Sequence, residues 1–155
     1  AHNKIQLLLD EMGHYEFMAY LVGKEDGGDY HIEDIVVPEQ LASPGRVTEV
    51  RFPEGVQNIV GTVHSHGSTK LGNFSTIDES NILANHNINI LAAEGGTYKA
   101  RVRAELPCGH LCSDEAKVMV VMPTSAGDSE FLKEAQERIR RAAPYGGTIW
   151  PSKEW

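Results

Sequence analysis

The chain has 155 residues, 41% of them hydrophobic and 23% charged, and a formal net charge of -8. That length suits one domain with a substantial core, and the excess of carboxylates excludes nucleic acid and anionic membrane as principal partners, since both reward clustered Lys and Arg. No apolar run approaches the ~20 residues that span a bilayer and no signal-peptide pattern opens the chain, so the expected location is cytoplasmic.

Residues 3–13 are expected to form a helix, because Ile5, Leu8, Leu9 and Met12 recur at helical spacing and Gly13 follows. Glu16 stands at the rim of an apolar strand, Phe17 to Val22, as a solvated strand end or as a carboxylate partnered by a cation or a water. Glu25-Asp26-Gly27-Gly28-Asp29 marks a hairpin turn. Tyr30 to Val37 is the return strand, stopped at Pro38, with His31 a structural or surface histidine. Residues 39–56 are less regular. Ser43-Pro44-Gly45 and Pro53-Glu54-Gly55 are turns around a weakly alternating segment, Val47 to Phe52, that reads as an edge hairpin.

Ile59 to Val63 reads as a short buried strand rich in β-branched residues, and it runs into His64-Ser65-His66. Side chains two apart in a strand share a face, so the two imidazoles stand side by side and suit one zinc ion. Asp78, one loop away, is the best-placed third ligand. Two histidines, one carboxylate and an open position for water form the pattern of a catalytic zinc site. Ser75-Thr76-Ile77-Asp78 also matches a capping box, which by itself would only start a helix. One helix start can hold both.

A helix is expected over 76–86 on that capping signal, its apolar face being mixed. Ile88 to Ala93 and Tyr98 to Leu106 are strands around a Glu94-Gly95-Gly96 turn. Ala116 to Met122, an apolar run, is expected to be a central strand. The two cysteines lie between, in Pro107-Cys108-Gly109-His110-Leu111-Cys112, as free thiols, a disulfide or part of a second, structural metal site. Asp128 or Ser129 starts a final helix ending near Ala143. Phe131, Leu132, Ala135 and Ile139 are its buried stripe, and Glu134–Arg138 and Glu137–Arg141 are its i,i+4 pairs. Arg138 to Arg141 is a docking patch or a solvated face.

The central motif resembles that of the JAMM (MPN+) metalloproteases: an upstream Glu, then H-[ST]-H, a loop, and S-x-x-D. Glu16-Phe17-Met18-Ala19-Tyr20-Leu21-Val22-Gly23 is similar to the family's E-x-x-G-x-L-x-G segment, with Ala19 in place of Gly. Eight residues separate His66 from Ser75, one more than the family's usual loop of about seven. Gly67 replaces the family's Pro.

The resemblance implies a single α/β domain over 1–143, with a mixed sheet flanked by helices, and a C-terminal tail over 144–155. It implies Zn2+ held by His64, His66 and Asp78, Glu16 as general base and Ser75 as hydrogen-bond donor to the oxyanion. It further implies cleavage of isopeptide bonds in ubiquitin or ubiquitin-like conjugates, in the manner of prokaryotic relatives of the proteasome-lid deubiquitinase, with a proteasome-type assembly as a further partner. The irregular 39–56 region matches by position the family's insertion that grips the substrate tail. Two other functions are compatible with these residues: a zinc peptidase that trims a small sulfur-carrier protein, and a non-catalytic MPN-type binding scaffold.

Overall fold

The computed structural model describes residues 1–67, 71–121, 128–143 and 148–149. The first helix, α1 (His2–Met12), turns Ile5, Leu8, Leu9 and Met12 inward as their spacing requires, and the Gly13 N–H closes it on Leu9 O. A meander follows: β1 (Met18–Asp26), β2 (Asp29–Val36), β3 (Glu39–Ser43), β4 (Arg46–Arg51) and β5 (Ile59–His64). Then come α2 (Thr76–Asn85), β6 (Ile88–Ala93), a short 3-10 turn, β7 (Thr97–Glu105), β8 (Leu111–Ala116), α3 (Asp128–Arg138), β9 (Ile139–Ala142) and β10 (Thr148–Ile149).

Six strands form one mixed sheet in the order β2-β1-β5-β6-β7-β8, in which β5 and β6 alone run parallel. The parallel pair needs a crossover, and the 65–87 segment with α2 supplies it. A second, four-stranded sheet has the order β10-β9-β3-β4. Register assigns the faces of the large sheet. Ala19, Val63, Ile90 and Ala100 lie in one row across four strands, and that face packs on α1 and α3 as the core. Tyr20, Thr62, Asn89 and Arg101 make the adjacent row, whose side chains point to the opposite face, where α2 lies against β7 and β8. The fold is thus a mixed α/β domain with helices on both faces of its sheet.

The parallel pair is tight at one point. A Cβ on Gly61 would lie 2.0 Å from the Ile88 carbonyl oxygen, so β5 and β6 approach as they do only because that residue is glycine. Gln40, fully buried, joins the two sheets: its amide donates to Met18 O and Pro38 O and accepts from Met18 N, replacing a strand neighbour at the start of β1.

Two expected elements are corrected. The strand expected over Ala116–Met122 is instead β8, Leu111–Ala116, and it lies at the edge of the sheet, not its centre. The Leu106–His110 turn decides this, since its two backbone hydrogen bonds set Leu111 opposite Glu105 and the register follows. Met119 and Val121 beyond it are 77% and 84% exposed, and Met122 is outside the described residues. The last helix ends at Arg138, not near Ala143, because Ile139–Ala142 extends to pair parallel with β3. Phe131, Ala135 and Ile139 are still buried, but Ile139 is so from a strand. Glu134 and Arg138 do pair, whereas Arg141 binds Glu11 of α1 in place of Glu137. Arg138 also donates to Val37 O and Arg140 pairs with Glu49, so the basic run is used inside the domain. Of the expected tail, only Thr148–Ile149 is described, paired with β9. Among the described residues, no helix is long and apolar enough to cross a membrane.

Candidate metal centre

His64 is the last residue of β5 and His66 lies two beyond it, so the chain's extended course turns both imidazoles the same way. Ser65 between them faces inward and is 1% exposed. Its N–H donates to Phe17 O and its hydroxyl accepts from Phe17 N, which ties the His-Ser-His segment to the residue next to Glu16. Glu16 is held from the other side as well, its own N–H donating to Ser43 O at the tip of β3. The small residue between the histidines therefore sets the distance between two parts of the site.

Asp78 arrives from α2. Ser75 is the N-cap, and the capping box is closed: Asp78 N–H donates to Ser75 Oγ at 3.2 Å, and Ser75 N–H donates to Asp78 Oδ2 at 2.7 Å. The carboxylate that caps the helix also reaches both histidines. Asp78 Oδ1 is 3.3 Å from His64 Nε2, and Oδ2 is 3.4 Å from His66 Nε2. The two Nε2 atoms are 3.2 Å apart. Among the described residues this is the one group of three His, Cys, Asp or Glu side chains placed to hold a metal ion.

The donor set, two nitrogens and a carboxylate, is of the kind that zinc accepts. With ligand atoms about 2.0–2.1 Å from a tetrahedral ion, neighbouring ligands stand roughly 3.3–3.4 Å apart; the two Nε2 atoms are 3.2 Å apart, and each lies 3.3–3.4 Å from a different oxygen of the Asp78 carboxylate. Two imidazoles and a carboxylate turn nitrogen and oxygen atoms toward one point, a donor set that a cation at its centre would satisfy. The carboxyl of Asp78 is raised by burial, but hydrogen bonding and charge from His64, with the Ser75 donors, more than offset this and hold it far below the usual carboxylate range. His66 is pushed down by burial and by His64, against the opposing pull of Asp78, which favours its neutral, ligating form. Glu16 is half-buried: burial pushes its carboxyl up, His64 pulls it down and Asp78 pushes it up, so it lies within electrostatic reach of both.

The longer loop is anchored from β7. Lys99 Nζ donates to Gly72 O and Asn73 Oδ1 at 2.8 and 2.7 Å, and Arg101 pairs with Glu79, the neighbour of Asp78, while Ser113 Oγ donates to Glu79. Gly67 leaves the motif with φ +60, and a Cβ there would lie 2.2 Å from His14 O. Proline, locked near φ ~-65°, cannot take that course.

Other histidines and the two cysteines lie outside this group. His31 is exposed on β2. His86 follows α2 and packs edge-on to Tyr20, 6.0 Å between ring centroids. Cys108 and Cys112 are free thiols, with Cys108 Sγ 3.3 Å from His110 Nδ1, and among the described residues they belong to no three-ligand group. One residue at the site escaped the sequence reading. Asn89 on β6, 4% exposed, has its Oδ1 3.1 Å from His64 Nδ1. Its signal was a single amide inside the apolar strand Ile88–Ala93, where only a residue with a partner is expected to be polar.

Fold and site together define a mixed α/β domain with two imidazoles and a carboxylate arranged for one metal ion. No family model matches the chain, and no curated protein matches it. Among solved structures, it is similar to a JAB1/MPN domain protein from Archaeoglobus fulgidus, at 20% identity and a TM-score of 0.46, over 77% of this chain and 89% of that one.

Proposed function

We propose that the chain is a zinc-dependent amide hydrolase of the JAMM type, acting on isopeptide bonds that join a ubiquitin or ubiquitin-like modifier to a lysine. The observation that supports this is the convergence of His64, His66 and Asp78 on one point, with Glu16 in the same electrostatic neighbourhood. Zinc, when bound, would act as a Lewis acid and lower the pKa of a coordinated water to about 7.

The chain's own residues would do the rest. Glu16, with its carboxyl raised by burial, is suited to take a proton from the attacking water and return it to the leaving amine. The Ser75 hydroxyl accepts from Asp78 N–H, which leaves its own hydrogen to donate toward the developing oxyanion. For the extended tail of a modifier, β4 is the outer strand of the second sheet, and Phe52 just past it packs edge-on to Tyr20 at 5.0 Å.

The test is zinc content beside cleavage of a lysine-linked ubiquitin-like conjugate. One zinc per wild-type chain is expected, lost in His66→Ala and Asp78→Ala, with Glu16→Gln keeping zinc and losing cleavage. A wild type that takes up no zinc after resupply would sink the enzyme reading. Zinc retained by Asp78→Ala would remove Asp78 from the ligand set.

A further inference from the structure

We infer that Asn89 is a positioning residue that fixes the tautomer and ring orientation of His64, so that Nε2 presents a lone pair to the metal. The inference rests on the metal reading of the same site. It starts from a cost. Asn89 is 4% exposed in a strand whose six residues are all buried, and an amide there loses its hydration. Its partner is not another backbone group but the far side of the His64 ring, 3.1 Å from Oδ1 to Nδ1.

The direction of that bond matters. A carbonyl oxygen can only accept, so Nδ1 must carry the proton, and the neutral ring then has none on Nε2. Free histidine prefers the opposite tautomer, with the proton on Nε2. In that form His64 would aim an N–H at His66 Nε2 and Asp78 and occupy the space of the ion. Parallel pairing brings the amide within reach of the ring. Thr62 is opposite Asn89 and His64 is opposite Leu91, so Asn89 sits one pleat below the imidazole on the same face. A hydrogen bond to the remote nitrogen of a metal-bound histidine fixes its orientation and raises its basicity.

The experiment has two readouts on the full chain. The first is the 15N chemical shifts of the His64 ring in metal-free wild type, which report the tautomer without any variant. The second is zinc affinity by chelator competition for wild type, Asn89→Leu and Asn89→Asp. The expected result is an Nδ1–H ring in wild type, a loss of about 10–100-fold in zinc affinity in Asn89→Leu, and affinity at or above wild type in Asn89→Asp, which keeps an acceptor. An Nε2–H ring in metal-free wild type would overturn the inference, and would do so even if neither variant folds. A folded Asn89→Leu that binds zinc like the wild type would overturn it too, while leaving the metal site standing. Absence of zinc binding by a wild type with an Nδ1–H ring would overturn the metal reading and, with it, any role for Asn89 beyond packing.

Discussion

Asp78 is assigned two roles, helix cap and metal ligand, and stability with and without zinc separates them. In the metal-free protein Ser75→Ala removes the hydroxyl that accepts from Asp78 N–H, a cap loss of about 1 kcal/mol. Asp78→Ala removes the acceptor of Ser75 N–H and a negative charge from the first turn, where a carboxylate contributes about 0.3–1 kcal/mol through the helix dipole. Without zinc Ser75→Ala should therefore melt about 2–4 °C below wild type for a chain of this size, and Asp78→Ala at least as far below, since it also loses the contacts with His64 and His66. Zinc at a hundred times its dissociation constant adds about 2.7 kcal/mol to wild type, or about 5–11 °C. Ser75→Ala should gain nearly as much. Asp78→Ala, if the lost ligand weakens binding a hundredfold, should gain only about 0.4 kcal/mol at the same zinc concentration. Circular dichroism melts in chelator and in excess zinc measure all of these shifts. An equal zinc gain in Asp78→Ala and wild type would refute the double role.

Three further outcomes follow from the same geometry. Burial raises the Glu16 carboxyl above its ordinary 4.5, so ionising it costs stability, a cost absent below pH 4.5 and complete above the folded-state value. Metal-free Glu16→Gln should thus be more stable than wild type at pH 7 and lose that advantage as the pH falls to about 4; urea titrations yielding equal stabilities at pH 7 would contradict this. Ser65→Ala leaves the buried Phe17 N–H without its hydroxyl acceptor and should destabilise by about 1–3 kcal/mol, leaving only the Ser65 N–H to Phe17 O bond between the Glu16 segment and the histidine segment; a stability unchanged by denaturant titration would show the hydroxyl bond to be dispensable. Gly61→Ala must push β5 from β6, since its Cβ would meet Ile88 O at 2.0 Å and Ile88 Cγ2 at 2.5 Å. A loss of about 1–3 kcal/mol or more is expected, and a melting temperature equal to wild type would mean that the parallel pair yields without cost.

Where the sequence misled, apolar content stood in for position. Ala116 to Met122 reads like a central, buried strand, yet the turn at Leu106–His110 starts β8 at Leu111, fixes its register and leaves Met119 and Val121 in solvent. Likewise, the helical spacing of Phe131, Ala135 and Ile139 holds only as far as Arg138. From there, the open edge of β3 and the carboxylates Glu11 and Glu49 favour an extended course, which sends Arg140 and Arg141 to different partners. Local propensity is a weak preference, and tertiary pairing overrode it in both places.

Much of the candidate site's geometry was legible because its determinants are local. Alternation along a strand puts His64 and His66 on one face whatever the rest of the chain does, and a capping box is a contact between residues three apart. Helix α1, the β1–β2 hairpin and β6 were readable for the same reason, each carrying its own period or its own turn signal. The tertiary structure alone decided what depends on strand order. The parallel pairing of β5 with β6 sets Asn89 beneath His64, the inward turn of Ser65 ties Glu16 to the histidines, and β7 supplies Lys99 and Arg101 to hold the loop and helix that carry Asp78. Asn89 and His64 are 25 positions apart, Lys99 and Gly72 are 27 apart, and Phe17 and Ser65 are 48 apart. No periodicity encodes such contacts, because they exist only once the sheet has chosen which strands are neighbours.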